Sequence, residues 1–273
     1  MKRINIYILL WSCLLLASCT IIDLEDPLKG KVTLTTDWSK RTQGISQPAN
    51  YTVVINGQTL NYTAASNLLP ELDEGTYPIY VYNKPEDISI NSTSATVTTA
   101  GTTVEALPGY LFTSITEATY GDFKTEAITA IMQQQVRRLS FELDITGGNP
   151  TGLQSVTASL TGVANTMNFD TNTYSGTGLK VVPVLTIDGS KIKGEVRLIG
   201  LTTEAQVLTL DIIYTTGKTQ QIVTDVSNQL ANFNADKHIA ITLTNNMEIT
   251  NKAGFEATIN KWDAKTEKDG TAW

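Results

Sequence analysis

The sequence predicts an all-β protein: two tandem β-sandwich domains behind a lipoprotein signal peptide. Three observations carry this expectation. Apolar and polar residues alternate with period 2 along most of the chain, helical periodicity is nearly absent, and Gly, Asn, Asp and Pro turn signals recur at close intervals. A chain of 273 residues, with residues 1–18 set aside, has room for two ordinary domains of about 100–150 residues each.

The signal comes first. Lys2 and Arg3 precede an apolar run over 6–16, and the run ends in Leu16-Ala17-Ser18-Cys19, which reads as a lipobox. The run is well short of the roughly 20 residues that span a bilayer. Cleavage between Ser18 and Cys19 would leave Cys19, with a diacylglyceryl group on its sulfur, as the new N-terminus. That covalent lipid on Cys19 is the membrane attachment the sequence offers, and no other cofactor and no metal is expected. Cys13 leaves with the signal, so the mature chain is expected to lack a disulfide and to rely on buried apolar area. The whole chain has 20 basic against 27 acidic residues, a net charge of −7, and two of the bases leave with residues 1–18. This acid surplus argues against nucleic acid as a partner and against charge-driven binding to anionic lipid.

Behind a lipidated linker over 19–30, a first sandwich is expected over 31–132 and a second over 133–273, the latter ending in a flexible tail. Val32, Leu34, Thr36 and Trp38 alternate with polar residues as the first strand. Over 51–62, Asn56-Gly57 sits between two strand-like arms, a type I′ hairpin signal because both central residues need φ > 0. Glu74-Gly75 turns into a strand with Tyr77, Ile79 and Val81 on one face and Tyr80 and Tyr82 on the other, a pattern that reads as core and cross-strand packing. Short strands are expected near 88–90 and 95–97, then a turn at Pro108-Gly109 and a strand over 110–112. A Thr-rich, weakly apolar stretch separates these from the apolar run at 127–132. Leu139, Phe141, Leu143 and Ile145 then alternate until Gly147-Gly148-Asn149-Pro150.

The second half repeats the style without a residue-level repeat. Val156, Ala158 and Leu160 lead to Gly162, and a strand over 181–187 meets the hairpin signal Asp188-Gly189 before 196–199. A strand over 207–214 turns at Gly217 into 221–226. A single helical turn is expected over 227–233, because Val226, Leu230 and Phe233 share a face. Strands over 238–243 and 255–262 close the chain.

Few residues are placed for catalysis. His238 is the sole histidine, so neither a multi-imidazole metal site nor a Ser-His-Asp triad has alternatives to it, and its setting in Asn234-Ala235-Asp236-Lys237-His238 reads as a solvated turn. No GxGxxG or GxxxxGK[ST] phosphate loop occurs. Asp170 between Asn168 and Asn172 has the look of a calcium loop, yet the EF-hand glycine and terminal glutamate are missing, and a plain turn is the expectation. The chain is read as non-enzymatic; a cleft with two facing carboxylates would revive a surface hydrolase.

Several segments in order resemble the fimbrillin-type lipoproteins of Bacteroidales, the subunit and anchor family of type V pili. They are the lipobox, Gly75-Thr76-Tyr77 with Val81-Tyr82-Asn83, the junction Met132-Gln133-Gln134-Gln135-Val136-Arg137-Arg138-Leu139-Ser140-Phe141, the turn Leu160-Thr161-Gly162-Val163-Ala164 and the terminal Ile259-Asn260-Lys261-Trp262. The resemblance implies two transthyretin-like sandwiches, export as a lipoprotein, and work in adhesion or fimbrial assembly as a subunit, anchor or accessory protein with other fimbrial subunits as partners. Asp23, Glu25 and Asp26 are similar to the tag that sends such lipoproteins to the outer face of the outer membrane. In such fimbriae a trypsin-like protease cuts after an arginine in the first-strand region, and a strand of the next subunit fills the groove that opens. On this chain the cut would fall between Arg41 and Thr42, and the donor strand would carry Phe255, Ala257 and Ile259. The residues alone also fit an exposed basic turn at Lys40-Arg41 and an ordinary edge strand at the C-terminus. The alternative is a surface lipoprotein that captures oligosaccharides, with Trp38, Tyr80 or Tyr82 stacked on sugar rings.

Overall fold

The computed structural model describes residues 29–121, 124–148, 150–250 and 256–267. Within that set the helical content is one three-residue 3-10 turn, Pro150–Gly152, and no helix among the described residues is long and apolar enough to cross a membrane. The chain opens with β1 (Lys31–Asp37), β2 (Tyr51–Ile55), β3 (Gln58–Tyr62), β4 (Ser66–Leu68) and β5 (Gly75–Tyr82). Then come β6 (Ile88–Asn91), β7 (Ser94–Val97), β8 (Thr99–Ala100), β9 (Thr103–Val104), β10 (Phe112–Tyr120), β11 (Thr125–Ile131) and β12 (Gln133–Gln134). The remainder is β13 (Arg137–Gly147), β14 (Leu153–Thr161), β15 (Thr166–Asn168), β16 (Thr173–Ser175), β17 (Lys180–Val181), β18 (Val184–Asp188), β19 (Lys191–Leu198), β20 (Val207–Tyr214), β21 (Thr219–Asp225), β22 (Ile241–Thr250), β23 (Glu256–Ile259) and β24 (Asp263–Thr266).

Two hydrophobic clusters organise these strands. In the first, a sheet of order β11-β1-β4 faces one of order β12-β10-β5-β2-β3. Val32, Leu34, Val53, Ile79, Phe112 and Met132 meet between them. The β2–β3 hairpin turns on Asn56 (φ 46°) and Gly57 (φ 73°), both in the left-handed region that a type I′ turn requires. The Thr-rich stretch expected to separate elements is instead the nine-residue strand β10, paired antiparallel with β5 from Thr113↔Tyr82 to Tyr120↔Gly75. Threonine's branched side chain suits a pleat as well as valine's, while alternate positions Phe112, Ser114, Ala118 and Tyr120 point into the core.

Sequence order and packing part company over residues 83–111. These residues were expected to complete a contiguous first sandwich. Instead β7 pairs with β15 and β9 with β17, and Ile88, Ala95, Val97, Val104 and Leu111 join the cluster built on Leu139, Phe141 and Leu160. Tyr80 and Val54, on the outer face of β5 and β2, pack against that second cluster, so β5 is covered on both faces. The second cluster comprises sheets of order β18-β19-β13-β22, β21-β20-β14-β17-β9-β8 and β16-β15-β7-β6.

The strand expected over 181–187 is broken at Val182-Pro183 into β17 and β18, because proline offers the ladder no N–H. The helical turn near 227–233 is present as one i→i−4 bond, Leu230 N–H to Val226 O at 3.1 Å, with Val226, Leu230 and Phe233 all buried. β22 starts later than expected, at Ile241, and runs ten residues. Its outer edge takes β23 (Ile249↔Ala257, Met247↔Ile259) and then β24 (Thr244↔Asp263 to Ile241↔Thr266), both antiparallel.

Between those two pairings Asn260, Lys261 and Trp262 oppose only Asn245 and Asn246. The extra residue makes a bulge that turns Trp262 into the core, where it is 1% exposed. The segment after Trp262, expected to be a flexible tail, is therefore strand as far as Thr266. Trp262→Ala is expected to cost about 3–5 kcal/mol, read as a lowered urea midpoint with an unchanged m-value.

Candidate functional site

β1 is the middle strand of its sheet. It pairs in parallel with β11 along all seven residues and antiparallel with β4 through Thr33, Leu34 and Thr35. Val32, Leu34, Thr36 and Trp38 point inward, and the Trp38 ring packs edge-on to Phe112 (5.5 Å between centroids) while its Nε1 donates to Thr36 Oγ1 at 3.0 Å. Withdrawing β1 would strip β11 of its ladder and uncover a slot lined by Ala130 and Met132. A strand from outside would restore both the backbone bonds and the apolar cover.

The basic pair stands at the exit of that strand, Lys40 exposed and Arg41 half-buried. The next residue is tied down. Thr42 N–H donates to Gln134 Oε1 at 2.9 Å and its hydroxyl to the His238 carbonyl at 2.6 Å, while Gln134 Nε2 donates to the carbonyls of Val136 (2.8 Å) and Lys237 (3.1 Å). His238 thus serves through its backbone. Arg41 and Thr42 border a cleft of about 1540 Å³ between the 41–48 loop and the outer face of β13 and β19, together with Arg138, Arg197 and Glu267. Ala257 and Ile259 lie elsewhere, on the distal half of β22, with Ala257 buried and Ile259 half-buried. The donor-strand candidates therefore complete their own sheet here, and Gln220 bonds both the N–H and the C=O of Ala257 at 2.7 Å. Ser18, Cys19 and Phe255 lie outside the described residues.

Two buried cations hold the neighbouring turn, and residue types alone did not single them out. Arg137, 3% exposed, donates to the carbonyls of Ile239 (2.6 Å), Phe233 (2.7 Å), Ala235 (2.9 Å) and Asn232 (3.0 Å) and lies over the Phe233 ring. Burial pushes its guanidinium down to about 10, partly offset by Asp236, so it stays charged at neutral pH. Lys237, 5% exposed, donates to the Ile199 carbonyl (2.7 Å) and the Gln135 carbonyl (3.1 Å), with Nζ 4.5 Å from the Tyr174 ring centroid. Burial, then the charge of Arg137, lowers its ammonium to about 7. A lysine beside a turn histidine carries no signature of burial in the sequence; only the packing of β15 and β16 over it makes it interior.

The sugar-stacking platform loses two of its three aromatics, since Trp38 and Tyr82 are buried and Tyr80 is half-buried against the second cluster. Asn168 Oδ1 accepts from the N–H groups of Asp170 (2.9 Å) and Thr171 (3.1 Å), the geometry of a side-chain-capped turn, and no cluster of metal-binding side chains occurs among the described residues.

Paired sandwich-like sheets, a first strand held centrally, a basic turn at its exit and a C-terminal strand along one edge define an all-β protein organised around strand pairing. The chain belongs to the family of fimbrillin-A associated anchor proteins Mfa1 and Mfa2, whose model matches residues 27–268. Membership places it among fimbrial anchor proteins, which act at the cell surface or in the fimbrium with other fimbrial subunits. The fold is similar to that of the fimbrial anchor protein Mfa2 from Porphyromonas gingivalis, at TM-score 0.58 and 12% identity over 86% of this chain and 97% of that one. It is similar as well to a candidate adhesin from Bacteroides ovatus (TM-score 0.62, 11% identity, 85% and 93% covered). Another such adhesin, from Bacteroides thetaiotaomicron, aligns at TM-score 0.60 and 13% identity, with 88% and 98% covered. A search of curated protein sequences finds no match.

The pH dependence of stability follows from Lys237. Its ammonium titrates near 7 in the fold against an ordinary 10.5, so between those values the unfolded chain binds more protons and stability rises with pH. Urea midpoints of wild type and Lys237→Met, compared from pH 6 to pH 9, are expected to shift in favour of wild type as pH increases.

Proposed function

We propose that the protein is a lipid-anchored fimbrial anchor subunit of the outer membrane, held by acylated Cys19 and joined to its neighbour by strand addition. The observation that carries this reading is the family match across residues 27–268. The state of β1 favours an anchor over a polymerising stalk subunit. β1 is seated in the middle of its sheet, and the N–H of the Arg41–Thr42 peptide bond and the Thr42 hydroxyl are both engaged. A protease that reads an extended backbone has to release Thr42 first. Retaining the segment before Arg41 keeps the lipid attached to the folded body, which an anchor requires.

The C-terminal strand supports the same role. Trp262 and the ladder to β22 hold residues 256–266 in their own sheet, so donating that strand would empty part of the core. An anchor ends a chain of subunits and has no need to donate.

Intact mass of the protein extracted from outer membranes tests the reading. A diacylglyceryl-bearing Cys19 start is expected, and a Thr42 start would overturn the anchor assignment. Cys19→Ala is expected to move the protein, and fimbriae with it, from the membrane fraction to the medium.

A further inference from the structure

The two sheets of the first cluster part company along β10 and β11, and the edges they turn to each other are unpaired. In β10 the even positions face β5, as the Asn83 N–H to Phe112 O bond (3.3 Å) and the Thr113↔Tyr82 register establish. The N–H and C=O groups of Ile115 and Glu117 therefore point away from β5. In β11 the bonds Lys31 N–H to Lys124 O and Met132 N–H to Asp37 O put the even positions against β1. Ala127, Thr129 and Ile131 thus turn their backbone groups outward, toward β10. No described strand pairs with either edge beyond β12, which takes only Phe112 and Thr113.

The slot between these edges has defined ends. Glu126 Oε2 accepts from Thr119 N–H at 3.1 Å and closes the narrow end, while Gln133 and the turn bearing Asp170 border the wide one. A cleft of about 570 Å³ lies there. Ile115 (39% exposed) and Ile131 (45%) flank it, two large apolar side chains left in solvent on facing strands. Neither strand carries the lysine or proline that usually blunts an open edge. The charged groups on it are acids: Glu117 on β10 and Asp170 at the mouth, with Lys124 already paired to Glu126 at 3.8 Å.

We propose that this slot is a docking site for an extended segment of a partner subunit, used while β1 stays in place. The segment carries β-branched residues at alternate positions, to pack on Ile115 and Ile131, and a basic residue opposite Glu117. The identity of the partner as a fimbrial subunit rests on the reading above; the strand-accepting chemistry of the slot does not. An anchor that keeps β1 has filled the groove at the centre of its first sheet, and the β10–β11 slot offers two facing ladders in its stead.

The chain from Thr20 onward has no cysteine, so Thr129→Cys supplies a single thiol at the slot. The probe is an acetylated peptide, Cys-Gly-Thr-Val-Lys-Val-Thr-Val amide, tethered by a mixed disulfide to raise its effective concentration. Hydrogen exchange at the Ile115 and Glu117 amides is expected to slow by about tenfold or more, and a peptide with proline for its central valine is expected to leave both unchanged. Glu117→Pro removes an N–H that bonds nothing in the fold; it is expected to retain the urea midpoint and to abolish protection at Ile115. Glu117→Lys is expected to weaken protection by the lysine peptide and to strengthen it for a glutamate counterpart. Should Thr129→Cys lower the urea midpoint, Ile131→Cys carries the tether. Exchange at Ile115 that is the same with both peptides overturns the slot while leaving the Cys19 mass test untouched. A Thr42 start with protection intact removes the anchor reading and leaves the slot.

Discussion

Carbonyl groups that leave a sheet have to find donors, and in the turn over 232–239 they find them in the side chains of Gln134, Arg137 and Lys237. Arg137 caps four carbonyls, Gln134 caps that of Lys237, and the Lys237 ammonium passes the task on to Ile199 and Gln135. An unpaired buried carbonyl costs about 1–3 kcal/mol, so the turn is held by fixed side-chain donors in place of water as well as by the buried Phe233 ring. The lowered pKa values of both cations record the desolvation that this entails. Thr42 joins the same network through Gln134 and His238, so the placement of the basic pair behind β1 depends on contacts made by residues nearly a hundred and two hundred positions later.

The other constraint is the management of sheet edges. The described residues contain no cysteine, so they are held by buried apolar area and by ladders, and each open ladder edge invites another strand. β1 lies in mid-sheet with both edges paired. The C-terminal strand is at an edge, yet the bulge before Trp262 staples it to the second cluster. β10 and β11 are left with facing edges because these consecutive strands enter different sheets. Strands of similar sequence pattern thus have three different availabilities: seated in mid-sheet, stapled at an edge, and open at an edge.

Much of the strand content was legible in the sequence. Alternation located β1, β5, β13, β14 and β20, and Asn56-Gly57 specified its hairpin, because period-2 burial and positive φ leave direct marks on residue choice. β10 was missed because threonine serves a half-buried pleat without registering as apolar. The affiliation of 83–111 was missed for a different cause. Short strands with small buried residues such as Ala95 and Val97 look alike whichever sheet they join, and only the partner strands β15 and β17 settle the matter.

The sequence by itself determined the all-β class, the family, and the order of first strand, basic pair and terminal strand, since each is written in residues adjacent along the chain. Only the tertiary structure decided that β1 is mid-sheet, that Ala257 and Ile259 complete their own sheet, that Lys237 is interior and that the β10–β11 edges are open. The physical reason is common to all four. Pairing and burial depend on what lies across the sheet, and the groups that lie across come from parts of the chain that local pattern does not connect.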